Sequence, residues 1–221
     1  MALSREQVVR AAVALLDEVG LEGLTLRRLA SELGVQAPTL YWHVRDKRHL
    51  LDLMAEEIVR ETAPRDLSEP APGQPWWDWL EERTRLSFEA LLRHRDAALV
   101  VAGNRPTDDS LPGAERAVGA LVTVGFPPQE ALGTILMLGH YVIGCVVEYQ
   151  AEAARAGRTE EREALARRMR ESDDLPMLTA AVSTMGGPGS SGSFQHGLRL
   201  LVAGLRVRHA ELVGEDRTVT V

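Results

Sequence analysis

Two groups of side chains in this sequence have the types and spacing to do chemistry, and they lie far apart along the chain. The first is Pro38, Thr39, Tyr41, Trp42 and His43, flanked by Arg27, Lys47 and Arg48. A short segment mixing hydroxyl, aromatic and imidazole groups between cations suits a DNA duplex. Cations and hydroxyls take phosphate oxygens, while polar and apolar tips reach base edges. The same residues also fit a surface helix of a three-helix bundle, with Tyr41 and Trp42 packed locally. The second group is His140 and Glu148, beside a run from Ala131 to Val147 that carries no formal charge. An imidazole and a carboxylate in such a setting are materials for a ligand site or, remotely, for acid–base catalysis. They fit equally a satisfied core histidine and an interface ion pair.

Other chemistry is excluded by composition. The single cysteine, Cys145, rules out an intramolecular disulfide, a cysteine-based zinc site and an iron–sulfur cluster. Its place in the apolar run predicts a buried, inert thiol, and the lone cysteine fits a reducing cytoplasm. No nucleophile elbow, metal triplet or glycine-rich phosphate loop is present, so no catalytic residue, cofactor or metal is expected. With 45% hydrophobic and 26% charged residues the chain has the makings of a folded core. The net charge of −7 argues against coating nucleic acid non-specifically. That charge is uneven: residues 1–50 hold seven basic and six acidic side chains, and the remainder hold 18 and 26. A neutral-to-basic head on an acidic body is the expectation.

The elements that must position these groups read as helices throughout. Ser4 to Gln7 forms a capping box, apolar residues then recur at helical spacing to Val19, and Gly20 supplies a stop. Thr25–Leu33 makes a second short helix, with Gly34 after it, and Pro38–Val44 a third. A short helix, a turn and a second short helix bearing polar and aromatic residues is a helix-turn-helix. Asp46 caps a fourth helix that runs to about Thr62. Four prolines in 63–75 mark a link. Beyond it, helices are expected at 76–93, 95–103, 107–124, 128–153, 159–183 and 194–212. The fold class is all-α: a helix-turn-helix head over 1–45, a connecting helix over 46–62 and a body over 76–221.

Ala131–Val147 and Leu198–Val207 are apolar around most of their circumference, which predicts burial on all sides and hence a subunit interface. His140 and three glycines within the first run, with no basic cluster beside it, argue against a membrane span. Gly186–Gly192 lacks the lysine of a phosphate loop and reads as a flexible connection. The alternating charges of 155–170 read as a solvated helix face or a mobile loop.

Leu24-Thr25-Leu26-Arg27-Arg28-Leu29-Ala30, Leu33-Gly34-Val35, Pro38 to Val44, Lys47-Arg48 and Leu50-Leu51-Asp52 together resemble the TetR family of bacterial repressors. The body is similar to the tetracycline-responsive branch of that family at His94-Arg95-Asp96, Gly103 to Thr107, Gly139-His140, Gly144 to Glu148 and Asp174-Leu175-Pro176. The resemblance implies a cytoplasmic homodimer closed by a four-helix bundle, formed by the helices at 128–153 and 194–212. It implies a palindromic double-stranded DNA operator, contacted by Arg27, Ala37, Pro38, Thr39, Tyr41, Trp42 and Lys47. Ala37 stands where the family has a base-reading glutamine and Leu26 where it has a threonine, so the operator should differ at that step.

The resemblance also implies a ligand site at Arg83, Ser87, Val101, Asn104, Arg105, Pro106, Ala117, Leu132, Ile135, His140 and Glu148. Val101 occupies the place of the histidine that ligates magnesium in that branch, and Ala63, Arg83, Ser87, Asn104 and Ala117 also depart from its pattern. A small-molecule inducer is therefore expected, but not magnesium-tetracycline. Arg83, placed to pair with Glu148 or with the ligand, suggests a flat, partly apolar compound carrying a carboxylate or phenolate. A ligand-independent regulator with a vestigial pocket is the alternative.

Overall fold

The computed structural model describes residues 3–62, 67–155, 159–185 and 191–214; the side chains of 61, 62, 155, 159–162, 166, 183–185 and 191 are not among those described. All regular structure among the described residues is helical. The head begins with α1 (Arg5–Gly23), opened by the expected capping box: the Ser4 hydroxyl accepts the Gln7 N–H at 3.2 Å, and Gln7 Oε1 accepts the Ser4 N–H at 2.8 Å. At Gly20 the backbone leaves helical geometry, at φ +70°, and a second short helical stretch runs on to Gly23. A Cβ at Gly20 would lie 2.8 Å from Asp96 Oδ2, so glycine lets the body approach the head backbone.

The second helix, α2 (Leu26–Glu32), starts at Thr25, whose hydroxyl accepts the Arg28 N–H, and Gly34 at φ +64° turns the chain. The third, α3, is shorter than expected. Only Ala37–Leu40 is α-helical, and residues 41–43 continue as tight turns, with Trp42 N–H bonded to Thr39 O and His43 N–H to Leu40 O. Leu40 and Val44, both buried, anchor this segment from below. The fourth, α4 (Lys47–Thr62), has Asp46 as its cap, accepting the His49 N–H at 2.8 Å. Its buried stripe of Leu50, Met54 and Ile58 packs α4 on α1 and also on the body.

The body comprises α5 (Trp76–Arg93), α6 (Ala97–Val101), α7 (Leu111–Thr123), α8 (Pro128–Arg155), α9 (Thr159–Glu171), α10 (Pro176–Met185) and α11 (Ser191–Val213). Two expected helices are shorter. α6 cannot begin before Asp96, which sits at φ +57°, and 107–110 is a turn, so α7 starts at Leu111. The helix expected over 159–183 is two helices. The residue before a proline is pushed out of the α region, and the chain turns at 172–175 before Pro176. The segment 186–190 and residues 156–158 of the charged run lie outside the described residues; from Thr159 the run belongs to α9, with Glu163, Arg167, Arg168 and Arg170 exposed.

Trp79 and Leu80 of α5, Leu121 of α7 and Val146 of α8 form the middle of the body, all fully buried. The opposite face of α8 is open, with Leu132, Leu136, Met137 and Val147 exposed, as are Leu200 and Val207 of α11. By length and hydropathy alone α8 would suffice to cross a membrane, but its other face packs on α5, α6 and α7.

Candidate DNA-reading face and ligand cavity

At the head, the turn at Gly34 presents α3 outward. Trp42 is 87% exposed and Tyr41 58%, so neither aromatic ring packs locally as the bundle alternative requires. An exposed tryptophan on a short, well-anchored segment is placed for contact with another molecule. Pro38, Arg27 and Lys47 are exposed around them, while Ala37 and Thr39 are half-buried at the base. Lys47 Nζ reaches the Leu21 carbonyl at 3.4 Å. Arg48 is committed within α4, with Nε and Nη2 both donating to Asp52 Oδ1.

Between head and body lies a cavity of about 1030 Å³, walled by α1, α4, α5, the segment 104–110 and the start of α7. Of the expected ligand residues, it brings together Arg83, Ser87, Val101, Asn104 and Pro106. The rest lie elsewhere. Ala117 is buried in the core, Ile135 is half-buried, and Leu132, His140 and Glu148 are on the exposed side of α8. Arg105 is exposed, and its backbone N–H donates to Asp52 Oδ1 at 3.3 Å. His140 and Glu148 are eight residues apart on one helix, about 12 Å along its axis, too far to act on one atom. Nor is Arg83 paired with Glu148. It donates to the Leu67 carbonyl at 2.8 Å, with its guanidinium 5.9 Å from the Trp79 ring centre. Ala63 lies outside the described residues.

Several cavity groups escaped sequence reasoning. Leu67 and Ser68, in the proline-rich link, are buried wall residues. The Leu67 carbonyl also accepts the Trp79 indole N–H at 3.0 Å, and Ser68 Oγ accepts from Arg116 Nε at 2.9 Å. Two guanidiniums are thus held at adjacent residues of the link. Nothing local in the sequence signals this, because the pairing spans 16 residues in one case and 48 in the other.

The wall also contains Glu56 of α4, whose carboxylate accepts the Thr107 N–H and hydroxyl, each at 2.8 Å. One helix therefore carries both a head core residue, Leu50, and a grip on the loop that borders the cavity. A second seam joins head to body at Asp17, which accepts the Arg95 N–H at 2.9 Å and lies 2.8 Å from His94 Nδ1. Asp96 Oδ2 accepts the Leu21 N–H at 2.9 Å beside it.

Among the described residues no group of three or more His, Cys, Asp or Glu side chains is arranged to hold a metal ion. Burial raises the Cys145 thiol above its usual range, against a thiolate-based role. Burial, with the neighbouring Cys145, pushes Tyr141 up to about 12.

Known proteins show the same combination. Residues 8–54 match the model of bacterial regulatory proteins, tetR family, and residues 69–209 that of the tetracyclin repressor-like C-terminal domain. The tetracycline repressor protein class D of Escherichia coli is 36% identical over 98% of this chain and 97% of its own length. A TetR of Acinetobacter baumannii, in complex with minocycline, superposes with a TM-score of 0.72 at 35% identity, covering 94% of this chain and 95% of that one. ActR of Streptomyces coelicolor, in complex with actinorhodin, gives 0.76 at 26% identity over 95% and 99%. A helix-turn-helix head, a cavity-bearing helical body and full-length likeness in both sequence and structure place this chain in the TetR family of transcriptional repressors.

Proposed function

We propose that the chain acts in the cytoplasm as a homodimer that binds a palindromic operator and is released by a small acidic aromatic compound rather than by magnesium-tetracycline. The observation that carries ligand control is Glu56. It lines the cavity and holds Thr107, while the other end of its helix packs against the head. A ligand that presses on this loop shifts α4, and with it the spacing of two heads across adjacent major grooves. It can release DNA only by as much as it prefers the displaced state, typically about 1–3 kcal/mol.

The same arrangement supports a division into head (1–45), connecting helix (46–62) and body (76–221). The exposed apolar faces of α8 and α11 support a four-helix bundle between subunits, in which Leu132, Ile135, His140 and Glu148 sit at or near the joint rather than in one subunit's cavity. Arg27, Ala37, Pro38, Thr39, Tyr41, Trp42 and Lys47 contact the operator. In the cavity, Val101 offers no lone pair to a metal, whereas Arg83 and Arg116 supply cations beside apolar Leu67 and Leu86. On this reading the two guanidiniums orient a flat anion at the wall formed by Leu67 and Ser68, away from the cavity carboxylates Glu6 and Asp109.

The test is binding of the purified protein to the DNA flanking its own gene, with and without magnesium plus tetracycline. Specific binding unaffected by the drug is expected. Release by the drug overturns the reading of Val101. A panel of acidic, neutral and cationic aromatic compounds, read by thermal shift, then fixes the ligand class, with stabilisation by neutral or cationic members alone counting against an anion.

A further inference from the structure

The cavity is larger than an aromatic core requires, and its two ends differ in chemistry. Its volume of about 1030 Å³ lies at the top of the range for small-molecule sites, about 300–1,000 Å³. Toward the body, Leu67, Leu86 and Val101 line it beside Arg83 and Arg116, together with Ser68, Ser87 and Asn104. The head end is walled by Arg5, Glu6 and Val9 of α1 and faces Asp109 and Ser110, with Arg60 of α4 alongside. Charges of both signs alternate there: Arg5 lies 3.7 Å from Asp109, and Arg60 pairs with Glu57.

Resting on the reading of this cavity as the inducer site, we propose a second subsite at its head end that takes a hydroxyl-rich, sugar-like extension of the ligand. Through it the ligand touches the head directly. A wall of closely set donors and acceptors suits a neutral group that both donates and accepts, because each hydroxyl does both and brings no unmatched charge.

The contact it replaces is weak. The Arg5–Asp109 pair is long, with side chains 52% and 81% exposed, so its loss costs little. The space between α1 and the 107–112 segment, once filled, holds head and body apart. A ligand lacking the extension acts through Glu56 and α4 alone; one that carries it adds a direct push on α1. Inducer strength then grows with the size of the polar extension.

The extension can be attached without knowing the ligand. In a Cys145→Ser background, Ser110→Cys is modified with a glucosyl or a methyl methanethiosulfonate; the cysteine thiolate displaces methanesulfinate and leaves a mixed disulfide. Affinity is read on the duplex that the unmodified protein selects from a randomised pool. The glucosyl adduct should bind at least about 10-fold more weakly than the methyl adduct, within the usual range of allosteric coupling. At Glu115→Cys, on α7 just beyond Ser110 but outside the cavity, the two adducts should agree within about twofold, as surface changes do. Asp109→Cys replaces Ser110→Cys if the latter fails to fold.

A benzyl adduct at Ser87→Cys tests the body end. Release there without release at Ser110 overturns the subsite and leaves the cavity as the inducer site. Release at neither overturns both readings. An equal effect at Glu115, or equal loss with the methyl adduct at Ser110, also overturns the subsite.

Discussion

The DNA-reading face and the cavity are built on opposite principles. At the face, Trp42 and Tyr41 are exposed above two buried anchors, Leu40 and Val44, and every bond shaping α3 joins residues within four positions. Behind the cavity wall Trp79 is fully buried and bonded to the wall residue Leu67, and the contacts that shape the wall join residues 12, 16, 48 and 51 apart. The comparison teaches that side chains on the face can change without disturbing the fold, whereas the cavity shares its walls with the core. On the proposed function, a new operator is reached by exchanging exposed residues, whereas a new inducer requires substitutions that the body must absorb.

The largest test of that contrast is Trp79→Ala. It removes a buried ring and orphans the Leu67 carbonyl from one donor, and should cost about 3–5 kcal/mol, read by chemical unfolding. A cost near zero would mean that the wall is not part of the core. Next is Glu56→Ala, which removes two charge-assisted bonds to Thr107 and should cost about 1.5–3 kcal/mol. Its sharper reading is functional: operator binding should persist while inducer release weakens, and unchanged release would break the link through α4.

Trp42→Ala should lower operator affinity by about 10-fold or more, equivalent to about 1.4 kcal/mol. Because the ring is exposed, stability should change by no more than about 0.5 kcal/mol. Loss of stability in parallel with affinity would erase the contrast. Ser4→Ala should cost about 1 kcal/mol through the lost cap, read by chemical unfolding.

The smallest effect concerns alkaline pH. Tyr141 ionises near 12 in the folded protein and at about 10 when unfolded, so its contribution is intact below pH 10 and is lost as pH rises to 12. Phenolate absorbance should show a component near pH 12 that Tyr141→Phe removes. Loss of a component near pH 10 instead would place this hydroxyl in water.

How much was legible follows the same division. The capping box at Ser4, the Thr25 and Asp46 caps and the Gly34 turn were readable because each is a bond between near neighbours. The start of α6 was not, since Asp96 takes its left-handed backbone where its carboxylate meets the head at Leu21. The split of 159–183 had a local signal in Pro176 that a continuous helix reading passed over. For the ligand residues, resemblance placed five on one wall, but α8 turns His140 and Glu148 away from that wall.

The amino-acid sequence by itself determined the all-helical class, the caps at Ser4, Thr25 and Asp46, the turn at Gly34 and the apolar character of α8 and α11. Short-range hydrogen bonds and periodicity act within a few residues and leave their mark in order and type. Only the tertiary structure decided that the proline-rich link supplies cavity wall, that Arg83 and Arg116 meet at Leu67 and Ser68, and that α1 borders the cavity. Those contacts depend on how helices stack, and stacking depends on the summed burial of side chains from every element at once.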